Sequence, residues 1–158
     1  MKLSVVDDKI IIYCNKKIDY EKIDLYKYFE ELLIKIKNKY NIKLNGYYTI
    51  VVHIDKIYGS IIEIVEDNFD CYDYFNQVDM EIKLKKEQFL YELDYEYFNK
   101  KIMNETIIYD NKLYLKIDDK KSLDSILEFC KIIYGNDIKK ILFCGKKVNL
   151  WKNQLLHW

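Results

Sequence analysis

The chain contains no proline, no alanine and no arginine, and it has only four glycines and two histidines. Each shortage excludes some chemistry. Without Arg there is neither a planar fork to clamp phosphate through two bonds nor an arginine finger. Gly46, Gly59, Gly135 and Gly145 are isolated from one another, so neither a P-loop nor a GxGxxG turn can form. The four cysteines (Cys14, Cys71, Cys130, Cys144) lie far apart, with no CxxC pair and no adjacent histidine. That spacing gives no zinc site and no disulfide framework, and free cytosolic thiols are expected. Long apolar runs are missing too: no stretch approaches a membrane span, and Leu3–Val6 is too short for a secretory signal before Asp7 and Asp8 interrupt it. The expected location is cytoplasmic.

What is present is a balanced, apolar-rich chain of 158 residues, 50% hydrophobic, 16% aromatic and 33% charged, with 26 Lys against 26 Asp and Glu. Half apolar content without net charge excludes disorder, and the length suffices for one medium or two small cores. Heavy use of Ile, Lys, Asn and Tyr is the bias of an AT-rich coding sequence, as in an AT-rich bacterium, so abundant Tyr and Lys carry little functional weight.

The pattern along the chain predicts an α+β fold: antiparallel β-sheets, each covered by a helix, in two hairpin-helix-strand units. Leu3–Val6 and Ile10–Tyr13 flank Asp7-Asp8-Lys9 as a hairpin. Asp19 can cap a helix whose Leu25, Phe29, Leu32, Leu33, Ile36 and Tyr40 recur at helical spacing. After Asn45-Gly46, alternation from Tyr48 to Ile54, a turn at 56–59 and Ile61–Val65 give a second hairpin, so residues 1–66 read ββαββ. Residues 67–77 form an acidic aromatic connector, and residues 78–148 a C-terminal α+β unit opening with the strand from Val78 to Lys85. Within it, Phe89–Leu93 reads as a strand followed by a short helix from Asp94. Thr106–Tyr109, Asp110-Asn111 and Lys112–Ile117 give the clearest hairpin. Ser122 then caps a helix with Leu123, Ile126, Leu127, Cys130 and Ile133 on one stripe, stopped by Gly135, and Ile138–Phe143 reads as a strand. On that helix Cys130 is a small buried hydrophobe. Residues 149–158 form a basic, Trp-containing tail.

Few residues could carry chemistry. His53 sits on the Thr49/Val51 side of its strand and reads as a partly exposed sheet histidine, and His157 lies in the tail. Asp67, Asp70 and Asp73 recur every third residue, unlike a calcium loop. No catalytic residue, metal or cofactor is expected. Two surfaces remain. Tyr72, Asp73, Tyr74 and Phe75 place rings beside carboxylates in the connector, a combination able to anchor a protein partner, although core packing is the commoner fate of such rings. Lys146, Lys147, Trp151 and Lys152 belong to a stretch with no acid after Asp137, which could lie on nucleic acid or an anionic membrane surface; zero net charge disfavours that use, and the plainer account packs the tail on the domain. The sequence sets no oligomeric state.

Two segments resemble the MecA family of adaptor proteins. The first is the N-terminal hairpin and helix followed by Tyr47-Tyr48-Thr49-Ile50-Val51-Val52-His53-Ile54-Asp55-Lys56 and Ile61-Ile62-Glu63-Ile64-Val65. It is similar to that family's substrate-binding N-domain. The second runs from Ile107-Ile108-Tyr109-Asp110-Asn111-Lys112-Leu113-Tyr114-Leu115 through Ile133-Tyr134-Gly135 to Ile141-Leu142-Phe143-Cys144-Gly145-Lys146-Lys147-Val148. It is similar to the ATPase-binding C-domain, with the acidic segment in the place of the linker. The chain is shorter than is usual in that family. The resemblance implies a non-catalytic adaptor that presents substrates to a Clp-type ATPase and its protease, and partners of those two kinds.

Overall fold

The computed structural model describes residues 1–42, 46–67, 78–97 and 105–148. The chain divides into two units, the first comprising residues 1–54 and 59–85, the second residues 55–58 and 86–158. Each contains a five-stranded sheet, and the α+β class read from the pattern is the one observed.

In the first unit, β1 (Lys2–Val6) and β2 (Lys9–Cys14) pair antiparallel across Asp7 and Asp8, whose φ angles of 46° and 63° make the two-residue turn that matches the twist of a hairpin. Helix α1 spans Leu25–Tyr40. Its N-cap is Asp24, whose carboxylate accepts from the Lys27 amide, and not the expected Asp19, which instead accepts the Glu21 amide in a separate turn. Both aspartates precede a turn, but the helix starts where its apolar face first meets the sheet. Phe29, Leu32, Leu33 and Ile36 bury that face against Ile10 and Ile12 of β2, with Tyr48, Ile50 and Val52 of β3 (Gly46–Asp55) and Ile62 and Ile64 of β4 (Gly59–Asp67) in the same core. Strand β5 (Val78–Lys86) completes the order β1-β2-β4-β3-β5. Residues 78–85, which open the C-terminal half in the sequence reading, thus form an edge strand of the first sheet.

The second unit orders its strands β10-β7-β8-β6-β9, from β6 (Leu90–Leu93), β7 (Glu105–Tyr109), β8 (Lys112–Lys116), β9 (Cys130–Ile133) and β10 (Lys146–Val148). A short 3-10 helix, Tyr95–Tyr97, follows β6 as expected from Asp94. The β7–β8 hairpin turns through Asp110 and Asn111 at φ 49° and 57°.

Two expectations fail here. The helix α2 covers only Lys120–Ile126, capped by Asp119, whose carboxylate accepts from the amide and hydroxyl of Ser122. Cys130 and Ile133 leave the helical stripe for β9, because residues 130–133 take the free edge of β6, where β-branched Ile132 and Ile133 fit the pleat. Residues expected to form a final strand are instead helix α3 (Asn136–Cys144), with Ile138 and Ile141 buried on one face. A two-residue period would mix a lysine with apolar residues on both faces of a strand, whereas the three-residue spacing of Ile138 and Ile141 gives one apolar helix face and leaves Lys139 and Lys140 exposed. Gly135 is therefore the N-cap of α3 at φ 71°, with its amide donating to Glu87 Oε1 at 2.7 Å. Gly145 is the C-cap of α3, where a Cβ would collide with the Ile107 side chain and the Ile141 carbonyl.

The two units share a module. In the first, the order β1-β2-β4-β3 has α1 between β2 and β3; in the second, β7-β8-β6-β9 has α2 between β8 and β9. The strand that ends the first module in sequence begins the second, which is a circular permutation of one topology.

Candidate functional site

Two polar side chains of the described residues that could carry chemistry, His53 and Asp55, are buried. His53 is 3% exposed, so it is a buried residue and not the partly exposed one expected. On the same sheet, Ile11 of β2 and Ile61 of β4 are buried as well. His53 Nε2 lies 3.5 Å from Glu63 Oε2, a pairing that accommodates a polar ring inside a sheet. Asp55 is 4% exposed and serves the backbone: Oδ1 accepts from the amides of Ile57 and Tyr58, both at 2.7 Å, and Oδ2 from the amide of Phe89 at 2.9 Å. With three donors already aimed at it, this carboxylate is committed to structure.

The three described thiols are far from forming a site by their chemistry. Cys14 is buried, Cys130 half-buried and Cys144 exposed, and all three are free. Burial pushes the Cys130 thiol up to about 11, away from the thiolate a nucleophile needs. Asp67 accepts the Thr49 hydroxyl at 2.6 Å, and no group of acidic, Cys or His side chains among the described residues could hold a metal ion.

Of the residues singled out from sequence, Tyr72, Asp73, Tyr74 and Phe75 lie outside the described residues, as do Asp70, Cys71, Trp151, Lys152 and His157. Lys146 and Lys147 belong to β10. Lys146 is exposed, but Lys147 Nζ sits 2.6 Å from Glu105 Oε1, while Lys116 Nζ approaches Glu105 Oε2 at 3.5 Å. The hydrogen bond from Lys147, with help from Lys116, holds the Glu105 carboxyl below its usual range.

A different surface emerges from the register of the second sheet. Lys146, Ile108, Leu113, Leu93 and Cys130 stand side by side across β10, β7, β8, β6 and β9. The segments that run off this row therefore share one end of the sheet: the C-terminus of α3 with Phe143, the 110–111 turn, the 3-10 helix and Phe129. Four large rings are exposed there: Phe143 at 92%, Tyr95 at 57%, Phe129 at 51% and Tyr97 at 50%. Tyr97 and Phe129 stack, with centroids 5.0 Å apart and planes 15° from parallel. They do so because β6 and β9 are neighbours whose ends, Leu93 and Cys130, lie in register. Asp94, Glu96 and Glu128, each next to one of these rings in the chain, are all exposed.

Sequence reasoning missed this surface. Asp94-Tyr95-Glu96-Tyr97 and Glu128-Phe129 are legible separately, but their meeting depends on β9 being a strand, which the helical stripe concealed. Comparison with known proteins adds nothing to this geometry: no family model, no curated protein and no solved structure matches the chain.

Proposed function

We propose that the chain is a non-catalytic, cytoplasmic protein-interaction module, an adaptor whose second unit docks a partner on the aromatic end of its sheet. The observation that carries this reading is the exposed Tyr97–Phe129 stack. Two rings already packed together give up little conformational freedom on binding, and aromatic side chains dominate the energetics of protein interfaces. Large exposed rings gathered at one end of a sheet are a reason to look for a partner, whereas scattered ones are not. The adaptor role, with a Clp-type ATPase and its substrates as partners, draws its support from the resemblance described above. A nucleic-acid or membrane role for the basic tail draws less, since Lys147 is already neutralised by Glu105.

The test is capture of a purified Clp-type ATPase by the wild-type chain and by a Tyr97→Ser, Phe129→Ser double variant. Both rings are half exposed and their stacking is worth about 0.5–1.5 kcal/mol, so the variant should remain folded. Capture by wild type and its loss in the folded variant support the proposal. Equal capture by both removes this surface from it, and recovery of salt-sensitive nucleic acid in place of protein favours the tail.

A further inference from the structure

We propose that the aromatic end of the second sheet takes a cationic segment, a peptide bearing lysine or arginine beside apolar residues; this rests on the interaction reading above and specifies its partner. The argument is one of charge accounting within the second unit. Most of its described carboxylates are engaged: Glu92 by Lys112 at 2.9 Å, Glu105 by Lys147 and Lys116, Asp124 by Lys120, Asp118 by Gln88, Asp119 by Ser122 and Glu87 by the Gly135 amide. Five described carboxylates have no side-chain bond or ion pair among the described residues: Asp94, Glu96 and Glu128 flank the exposed rings, Asp110 lies in the turn at the same end of the sheet, and Asp137 lies in the first turn of α3. Close in sequence to the three that flank the rings stand one described lysine, Lys131, which faces Glu92 across the β6–β9 ladder, and Lys100 and Lys101, which lie outside the described residues.

Carboxylates with no partner among the described residues, set around aromatic faces, suit one ligand chemistry. An ammonium or guanidinium group is attracted both to the ring faces and to the carboxylates, while the aliphatic stem of Lys or Arg covers ring surface. A polyanion such as nucleic acid could stack on the same rings but would meet three like charges. A flat guanidinium can also extend the near-parallel stack by lying on one of its outer faces.

The experiment measures fluorescence anisotropy of two labelled peptides, one alternating lysine with leucine and the other glutamate with leucine, against three proteins. These are the wild type, the carboxamide variant Asp94→Asn, Glu96→Gln, Glu128→Gln, and the aromatic variant Tyr97→Ser, Phe129→Ser. A thermal melt of each protein checks that it is folded. The proposal expects the lysine peptide to bind wild type in preference to the glutamate peptide, with affinity falling as salt rises. Loss of three exposed ion pairs should weaken binding about tenfold in the carboxamide variant. Equal binding of both peptides to wild type, or an unchanged affinity in the folded carboxamide variant, overturns the cationic assignment. If the aromatic variant alone loses capture of the ATPase partner, the interaction surface stands and only the charge assignment fails. If neither variant alters either measurement, the surface itself is wrong.

Discussion

Replacing Asp55 tests whether a single carboxylate organises the turn of residues 55–58 and the start of β6. Its side chain is 4% exposed and receives the amides of Ile57, Tyr58 and Phe89. Tyr58 and Phe89 are themselves buried, and their rings lie 5.9 Å apart, so neither amide has ready access to water once its acceptor is gone. Ile57 is only half-buried, and its amide can turn to solvent. In Asp55→Asn, one oxygen can still serve Ile57 and Tyr58, but the amide nitrogen then faces the Phe89 N–H. One unsatisfied buried donor should cost about 2 kcal/mol. Asp55→Ala strands two buried donors, and the expected loss is about 4 kcal/mol. Against a domain stability of about 5–15 kcal/mol, the alanine variant should be close to unfolded and the asparagine variant measurably weakened. Urea titrations followed by circular dichroism give the ranking, and hydrogen exchange at the Phe89 amide locates it. An alanine variant within about 0.5 kcal/mol of wild type, or no faster exchange at Phe89, refutes the reasoning.

Three further outcomes are expected. The Tyr91 hydroxyl is buried with no hydrogen-bond partner among the described residues, so Tyr91→Phe should raise stability by about 1 kcal/mol in the same titration; a loss of that size means the hydroxyl has a role. Burial pushes the Tyr20 phenol, bonded at 2.7 Å to the Ser60 hydroxyl, from 10.0 up to about 12. The folded state therefore holds a proton that the unfolded chain gives up. The resulting stability is complete below pH 10 and is lost as pH rises toward 12; urea midpoints in that window should fall less steeply for Tyr20→Phe, and identical slopes contradict the assignment. Burial likewise keeps the Cys130 thiol protonated, while Cys144 is exposed, so alkylation of the native protein mapped by mass spectrometry should label Cys144 well before Cys130. Labelling of Cys130 first means that β9 opens readily.

Most of the first unit was legible in the sequence, apart from the N-cap at Asp24, the burial of His53 and the place of β5 in this sheet. The hairpin turn at Asp7-Asp8, the apolar face of α1 and the alternation of β3 and β4 each agree with the structure, because local propensity and tertiary packing ask for the same residues there. The β7–β8 hairpin and the α+β class were legible for the same reason. Residues 120–148 were not. Leu123, Ile126, Cys130 and Ile133 satisfy a helical period, yet the chain leaves the helix after Ile126 because β6 offers an edge whose backbone groups must be paired. A strand read from residues 138–143 became α3, because Ile138 and Ile141 share one helix face that is buried, whereas a strand would place them on opposite faces, each beside a lysine. The aromatic end of the second sheet follows from those choices. Sequence placed Tyr97 and Phe129 far apart in the chain, and only the pairing of Leu93 with Cys130 brings the rings to 5.0 Å, since contact between distant residues is set by the register of the strands that carry them.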